Sequence, residues 1–379
     1  MELKVFRSID EIDSDFWDSV LPDDEIIKTH RFLKAVEHSN INNCKFWYVI
    51  FFKNAKVIAN ASLFSMDFYL DVIAPEFIKN ICNNLRKVFP KFLRLKLLGC
   101  GTPVATCTNG ISISENSYFK EVVTLLTKLI LQIAKKEETH CILYKEYNQQ
   151  ESKAFDILLS MGFIKLHSLP TSFVDIYWKS WDEYFKNLRK KYRLFIKNDR
   201  IKLDSPKVTI EICEDFGAHA DELWALYMNV YRKAEVKFEQ LTPQFFKNIN
   251  NYLKGESSVI LIKLDNKIIA FELIIEDKSI LRPLYLGLDY KMNEGLSLYF
   301  NSISQIIKHG IERNKKTIEL GQTSYYPKLK VGARIEPLYF YIKFKNPLLQ
   351  YLLKYPLKLL FPERTFKTKN IFKDQSLTI

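Results

Sequence analysis

Three carboxylates stand where a proton could be moved. Glu272 interrupts the apolar run IleIleAlaPheGluLeuIleIle. A carboxylate flanked by hydrophobes has a raised pKa unless a positive charge compensates. Glu319 precedes Leu320-Gly321 at the expected end of a strand, where open α/β sheets place their ligands. Asp289 follows Gly287 at a second strand end. Each could accept the proton of an attacking amine, and each could equally be an ion-pair partner of a nearby Lys or Arg. Other chemistries lack their residues. The chain has no HExxH, CxxC or GxSxG, and its six histidines form no cluster with cysteine. That leaves no basis for a zinc site, a serine triad or a thiol nucleophile. CysGlyThrPro at 100–103 reads as a turn rather than a phosphate loop.

The second chemical signal is charge. The 379 residues carry 56 Lys+Arg against 44 Asp+Glu, a net +12. Lys186 to Lys202 holds eight basic residues against Asp199, and Tyr341 to Ile379 holds eight against Glu363 and Asp374. These segments, net +7 and +6, exceed the total, so the rest of the chain sums to −1. Two local patches point to a polyanionic ligand. In the first, Ser180 and Glu183 form a capping-box pattern, and Trp181, Leu188, Tyr192 and Ile196 recur at helical spacing. This predicts one helix presenting Arg189, Lys190, Lys191 and Arg193 to an anion, or a solvated face. The second contains NPLLQYLLKYPLKLLFP, whose prolines are expected to interrupt any helix and whose leucines and lysines suit a membrane surface.

The elements that position these residues form a repeat. Thr29 and Thr242 each open a helix, the second with Pro243 at its first position. Paired β runs follow, Trp47–Phe52 with Val57–Phe64, then Val259–Leu264 with Ile268–Ile275. Next come RLKLLG ending at Gly99 and RPLYLG ending at Gly287, and then a strongly periodic helix in each half. Each helix leads to a strand, a short helix with glycine (Gly162, Gly332) and a closing strand, Thr171–Trp178 or Pro337–Phe344. The pattern predicts a tandem α/β protein, residues 1–179 and 180–379, each a mixed sheet covered by helices.

This order resembles the GNAT acyltransferase fold used twice. More closely, the chain resembles the BioF2-like (cellulose-synthesis-associated) acetyltransferases, relatives of the Fem-type aminoacyl transferases. The landmarks are MetGlyPhe at 161–163, LeuArgLysLysTyrArg at 188–193, PheGluGlnLeuThrProGlnPhePhe at 238–246 and GluLeuGlyGlnThrSerTyrTyrProLysLeuLysValGlyAla at 319–333. Tyr326, Lys330 and Gly332 match a Tyr…Lys-x-Gly segment of the Fem type. An ordinary GNAT binds the pyrophosphate of coenzyme A on Arg/Gln-x-x-Gly-x-Gly/Ala at a helix N-terminus. The nearest segment is Met292-x-x-Gly295-x-Ser297, without the basic or amide first residue. The first half has no such motif and is expected to be non-catalytic.

The resemblance implies transfer of an acyl group from an acyl-CoA to an amine of a small molecule, amino sugar or envelope precursor. Lys330 would stabilise the oxyanion beside Tyr326, Glu319 or Glu272 would take the amine proton, and Asp289, Gln322 and Tyr325 would touch substrate. Gly295 and Ser297, with Arg189, Lys190, Lys191 and Arg193, would hold the donor's phosphates. Two alternatives remain open: an aminoacyl-tRNA donor, and a non-catalytic module binding a polyanion or membrane. No metal and no covalently bound cofactor are expected. The acidic start, MELKVFRSIDEIDSDFW, and the free thiols predict a cytoplasmic protein, or one peripheral at the inner membrane face through its basic tail.

Overall fold

A computed structural model describes residues 1–69, 71, 76–234, 237–367 and 369–374. Thr368 and residues 375–379 of the basic tail therefore lie outside the described residues. The strands are β1 (Glu2–Phe6), β2 (Lys45–Lys53), β3 (Lys56–Tyr69), β4 (Arg94–Cys100), β5 (Ile111–Ile113), β6 (Cys141–Asn148), β7 (Ile164–His167), β8 (Thr171–Asp175), β9 (Val208–Cys213), β10 (Ser257–Leu264), β11 (Lys267–Glu276), β12 (Ile280–Leu288), β13 (Thr317–Glu319), β14 (Arg334–Glu336) and β15 (Leu338–Phe344). They form two mixed sheets. One has the order β1-β2-β3-β4-β6-β15-β7, with β5 on β3; the other is β14-β8-β13-β12-β11-β10-β9.

The repeated elements are where the sequence puts them. Asn54-Ala55 and Asp265-Asn266 all take positive φ, the backbone that joins tightly turned strands, and they connect β2 to β3 and β10 to β11. Thr29 and Thr242 each accept a bond from the backbone N–H three residues on, at 3.3 Å, capping helices His30–Glu37 and Pro243–Tyr252. These two helices meet: Asn248 Nδ2 donates to Ser39 Oγ at 3.1 Å, and Thr242 Oγ1 donates to the Ser39 carbonyl at 2.7 Å.

Three expectations need correction. The closing strand of each half does not close its own sheet. β15 lies between β6 and β7 of the first sheet, while β8 lies between β13 and β14 of the second. The apolar content of a short strand specifies that it is buried, not which sheet accepts it. The basic helix is two helices, Trp181–Asn187 and Lys190–Ile201. Leu188 and Arg189 between them are extended, because their backbone pairs with the tail: Leu188 bridges Phe372, and Arg189 N–H donates to the Ile371 carbonyl at 2.8 Å. The tail prolines do not break their helix, which runs Pro347–Leu360. Pro347 sits in the first turn, where its missing N–H costs nothing, and Asn346 Oδ1 caps that turn; Pro356 lies inside.

Candidate functional site

β12 and β13 are parallel neighbours over only two positions, Ile280 with Thr317 and Leu281 with Ile318. Beyond these the two strands no longer pair. β12 continues to Leu288 along β11, and β13 ends at Glu319. A parallel pair that opens at its carboxyl end leaves unpaired backbone facing a gap, the usual place for a ligand in an α/β sheet. Helix Leu298–Glu312 packs on this region, preceded by the left-handed Ser297 (φ 46°).

Two of the predicted carboxylates lie buried on either side of one lysine, Lys328, whose charge acts on each. Glu272, on β11, is 3% exposed, and burial pushes its carboxyl up to about 8 against the pull of Lys328. Glu319 is buried too, and burial raises it to about 7 although Arg282 Nε donates to it at 3.0 Å and Thr171 Oγ1 at 3.3 Å. Arg282 is itself buried, pairs with Asp277 as well, and donates to the Asp24 carbonyl at 3.1 Å. The lysine among these acids is Lys328, which the sequence reading passed over. It is 4% exposed, and burial lowers it to about 8. Its ammonium donates to the carbonyls of Leu320, Gly321 and Gln322 at 2.7, 2.9 and 2.8 Å, pinning the turn after β13.

The first half reaches into this region. Gly101 and Gly110 press together, since a Cβ on Gly110 would lie 2.3 Å from the Gly101 Cα. This pinch throws out a loop whose Val104 enters a core shared by residues of both halves. Lys145 Nζ holds the loop through the Thr102 and Val104 carbonyls, both at 3.0 Å. The Ala105 N–H donates to the Tyr285 hydroxyl at 3.2 Å, and Tyr285 donates to Glu239 at 2.8 Å. Cys107 lies near Glu319, Glu146 and Lys328, and burial raises its thiol. Burial likewise raises Glu146 and Glu239. The two glycines bracketing 101–110 were the only sequence signal for this loop; nothing in the spacing marked Lys145, Glu146, Tyr285 or Arg282.

The remaining predicted residues lie elsewhere. Lys330, half-buried, sits over the rings of Phe195 at 3.8 Å, Tyr326 at 4.4 Å and Phe300 at 5.4 Å. A hydrogen bond from Lys330 lowers the pKa of the exposed Tyr326, with Lys369 and Lys191 contributing charge. Lys191 therefore shares a face with Tyr326 and Lys330, and Phe195 on the same helix joins them to Phe300 at 5.0 Å. Lys190 is exposed beside it. Arg189 Nε is bonded to the Phe372 carbonyl at 3.0 Å, and Arg193 to the Lys186 carbonyl at 3.2 Å. Gly295 faces open space, and Ser297 Oγ accepts from Lys202 at 2.6 Å. Gly332 (φ 94°) makes room for the tail, because a Cβ there would meet the Phe372 ring at 2.6 Å. Asp289 caps helix Tyr290–Leu296 through the Lys291 N–H. Gln322 and Tyr325 donate to the Leu169 and Pro170 carbonyls at 2.8 and 2.9 Å, tying the turn to the strand exchange. Among the described residues no group of His, Cys, Asp and Glu is arranged to hold a metal ion.

Two mixed sheets built on one repeat, with a parallel pair opening beside buried acids, define a tandem α/β protein. The chain belongs to the FemAB-like family, described as peptidoglycan biosynthesis/recognition, whose model matches residues 8–324. It is also similar to a protein of Mycobacterium tuberculosis named 8-amino-7-oxononanoate synthase 2, at 25% identity over 319 residues. The alignment covers 82% of this chain and 41% of that relative, so the chain spans less than half of its length. The crystal structure of FemX overlays with a TM-score of 0.57 at 13% identity, covering 93% of this chain and all of that one. The C-terminal domain of a lysylphosphatidylglycerol synthetase from Agrobacterium fabrum gives 0.53 at 10% identity, covering 93% and 98%.

Proposed function

We propose that the protein is an amine acyltransferase whose chemistry occurs where β12 and β13 part. The observation carrying this is the pair of buried carboxylates there, Glu272 near 8 and Glu319 near 7, in a chain of the FemAB-like family. A base that titrates close to neutral pH can both accept a proton from an amine and release it afterwards. The amine nitrogen attacks the carbonyl carbon of the donor, a C–N bond forms, and the oxyanion collapses with loss of the donor's sulfur or oxygen. The amine proton passes to Glu272, with Glu319 as the alternative, and the leaving group takes up a proton. Lys330 and Tyr326, on the outward side of the helix after the turn that follows β13, are proposed to reach the oxyanion from the side away from these acids. Lys328 keeps the backbone of 320–322 in place for this step.

An acyl-CoA is the proposed donor, its phosphates resting against Lys190, Lys191 and the turn at Gly295–Ser297. An aminoacyl-tRNA is the second reading. Favouring it is the continuity of the basic face from Lys190 and Lys191 to Lys369 beside Tyr326, a wider surface than one pyrophosphate requires. The test is mass spectrometry of material that co-purifies with the protein, followed by turnover with the donor found and a panel of amines. Release of a coenzyme A thioester supports the first donor and bound tRNA the second. Absence of transfer from either class to any amine overturns the proposal and leaves a non-catalytic polyanion-binding module.

A further inference from the structure

Helix Pro347–Leu360 has two apolar faces. Leu349, Leu353 and the buried Leu357 pack against the first sheet with Phe340 and Phe344. On the opposite side Leu348, Leu352, Tyr355 and Leu359 follow one another at spacings of four, three and four, which makes a single stripe. All are exposed, Leu359 by 82%, and Tyr351 beside them by 73%. Lys354 and Lys358, both exposed, border this stripe.

A second such stripe lies on the same edge of the sheet. β4 pairs with β6 in parallel, Leu97 opposite Cys141, and β15 pairs with β6 antiparallel, Phe344 opposite Cys141. β3 pairs with β4 antiparallel, Tyr69 opposite Arg94. The end of β15 and the β3–β4 connection therefore leave the sheet at one edge. That connection contains helix Glu76–Val88, which exposes Ile81, Leu85 and Val88, followed by the exposed Phe89. Lys87, Lys91 and Arg94 are exposed beside it.

We propose that this edge docks on the surface of an anionic lipid bilayer, with helix Pro347–Leu360 lying along the boundary between headgroups and acyl chains. The chemistry favours lipid over a second copy. The apolar stripes are bordered by lysine and arginine, so two copies placed face to face would oppose like charges, whereas acidic headgroups would complement them. Tyr355 in the stripe and Tyr351 beside it suit a boundary that is apolar on one side and wet on the other. The helix has 14 residues, about 21 Å at about 1.5 Å per residue, short of the roughly 30 Å of a bilayer core. Among the described residues no helix is long and apolar enough to cross a membrane. The helix would lie on the surface and not span it.

The test is co-sedimentation of the full chain with vesicles of phosphatidylcholine alone or with added phosphatidylglycerol, beside its oligomeric state by ultracentrifugation. It requires no substrate, so its outcome is independent of the transfer reaction. The wild type should bind the phosphatidylglycerol vesicles, weakly or not at all the neutral ones, and lose binding in high salt. Leu352→Glu/Leu359→Glu should abolish binding. Lys354→Glu/Lys358→Glu, on exposed side chains, should weaken it on the order of tenfold or more. Wild-type protein that ignores anionic vesicles overturns the proposal, as does binding that survives both variants. So does a wild-type dimer that the leucine variant turns into monomer without any vesicle binding, which would assign the face to a second copy.

Discussion

Glu272→Gln isolates the buried carboxylate of the proposed site. Burial holds it at about 8 against an ordinary 4.5, a gap of about 3.5 pH units that corresponds to at most about 5 kcal/mol. The sign follows from proton counts. Between pH 4.5 and 8 the native state keeps a proton that the unfolded chain has released, so stability falls as pH rises and levels off above about 8. Lys328 acts in the other direction at higher pH. Its folded value of about 8 lies below the ordinary 10.5, so from 8 to 10.5 the unfolded chain holds the extra proton and stability rises. The pair together gives a stability minimum near pH 8. Glutamine keeps the shape and never ionises, so the variant should gain on the wild type steadily from pH 5 to pH 8. Urea unfolding at unit pH steps measures this. Parallel wild-type and variant curves would refute the burial argument. With a donor and acceptor in hand, the same variant should lose about 10²–10⁴ in turnover together with the ascending limb of the pH–rate profile near 8. Full activity would move the base to Glu319.

Other outcomes follow from the same geometry. Lys330→Ala should lower turnover by about 10²–10³ with little change in donor affinity, and Lys330→Arg should rescue poorly; unchanged turnover removes the residue from the mechanism. Arg282→Ala leaves Asp277 and Glu319 buried without their cation, and denaturant unfolding should show a loss of about 3–5 kcal/mol. A fragment of residues 1–179 lacks β15 from between β6 and β7 and carries an orphaned β8, so it should be insoluble or molten by near-UV circular dichroism, while adding residues 180–379 in trans should restore structure.

The fold was legible where it rests on local chemistry. Threonine caps, the turns at Asn54 and Asp265-Asn266, and periodicity in Phe119–Lys136 and Leu298–Glu312 each act within a few residues, and the repeat they form was readable in order. What escaped depends on partners distant in sequence. β8 and β15 are short strands with no exposed position, and nothing within their five or seven residues records that each belongs to the other sheet. The break at Leu188–Arg189 has the same origin, because the competing backbone partner lies at 371–372.

The site divides along a similar line, and the division says which residues can be swapped. Glu272 was readable because its apolar neighbours in the chain mark a strand buried along its length, and burial is what raises it. Lys328 and Lys330 could not be told apart, since both lie on the six-residue helix Tyr325–Lys330. Two positions on a helix differ by roughly 200° around its axis, so one ammonium goes inward to the carbonyls of 320–322 and the other outward over Phe195 and Tyr326. The inward lysine joins the turn after β13 to the acids beneath it, and the outward one joins that helix to the basic face. The Tyr…Lys-x-Gly segment thus couples the two chemical signals of the sequence, buried acids and local positive charge. Its glycine completes the coupling, because only a residue without a side chain lets Phe372 bring the tail, and Lys369 with it, over Tyr326.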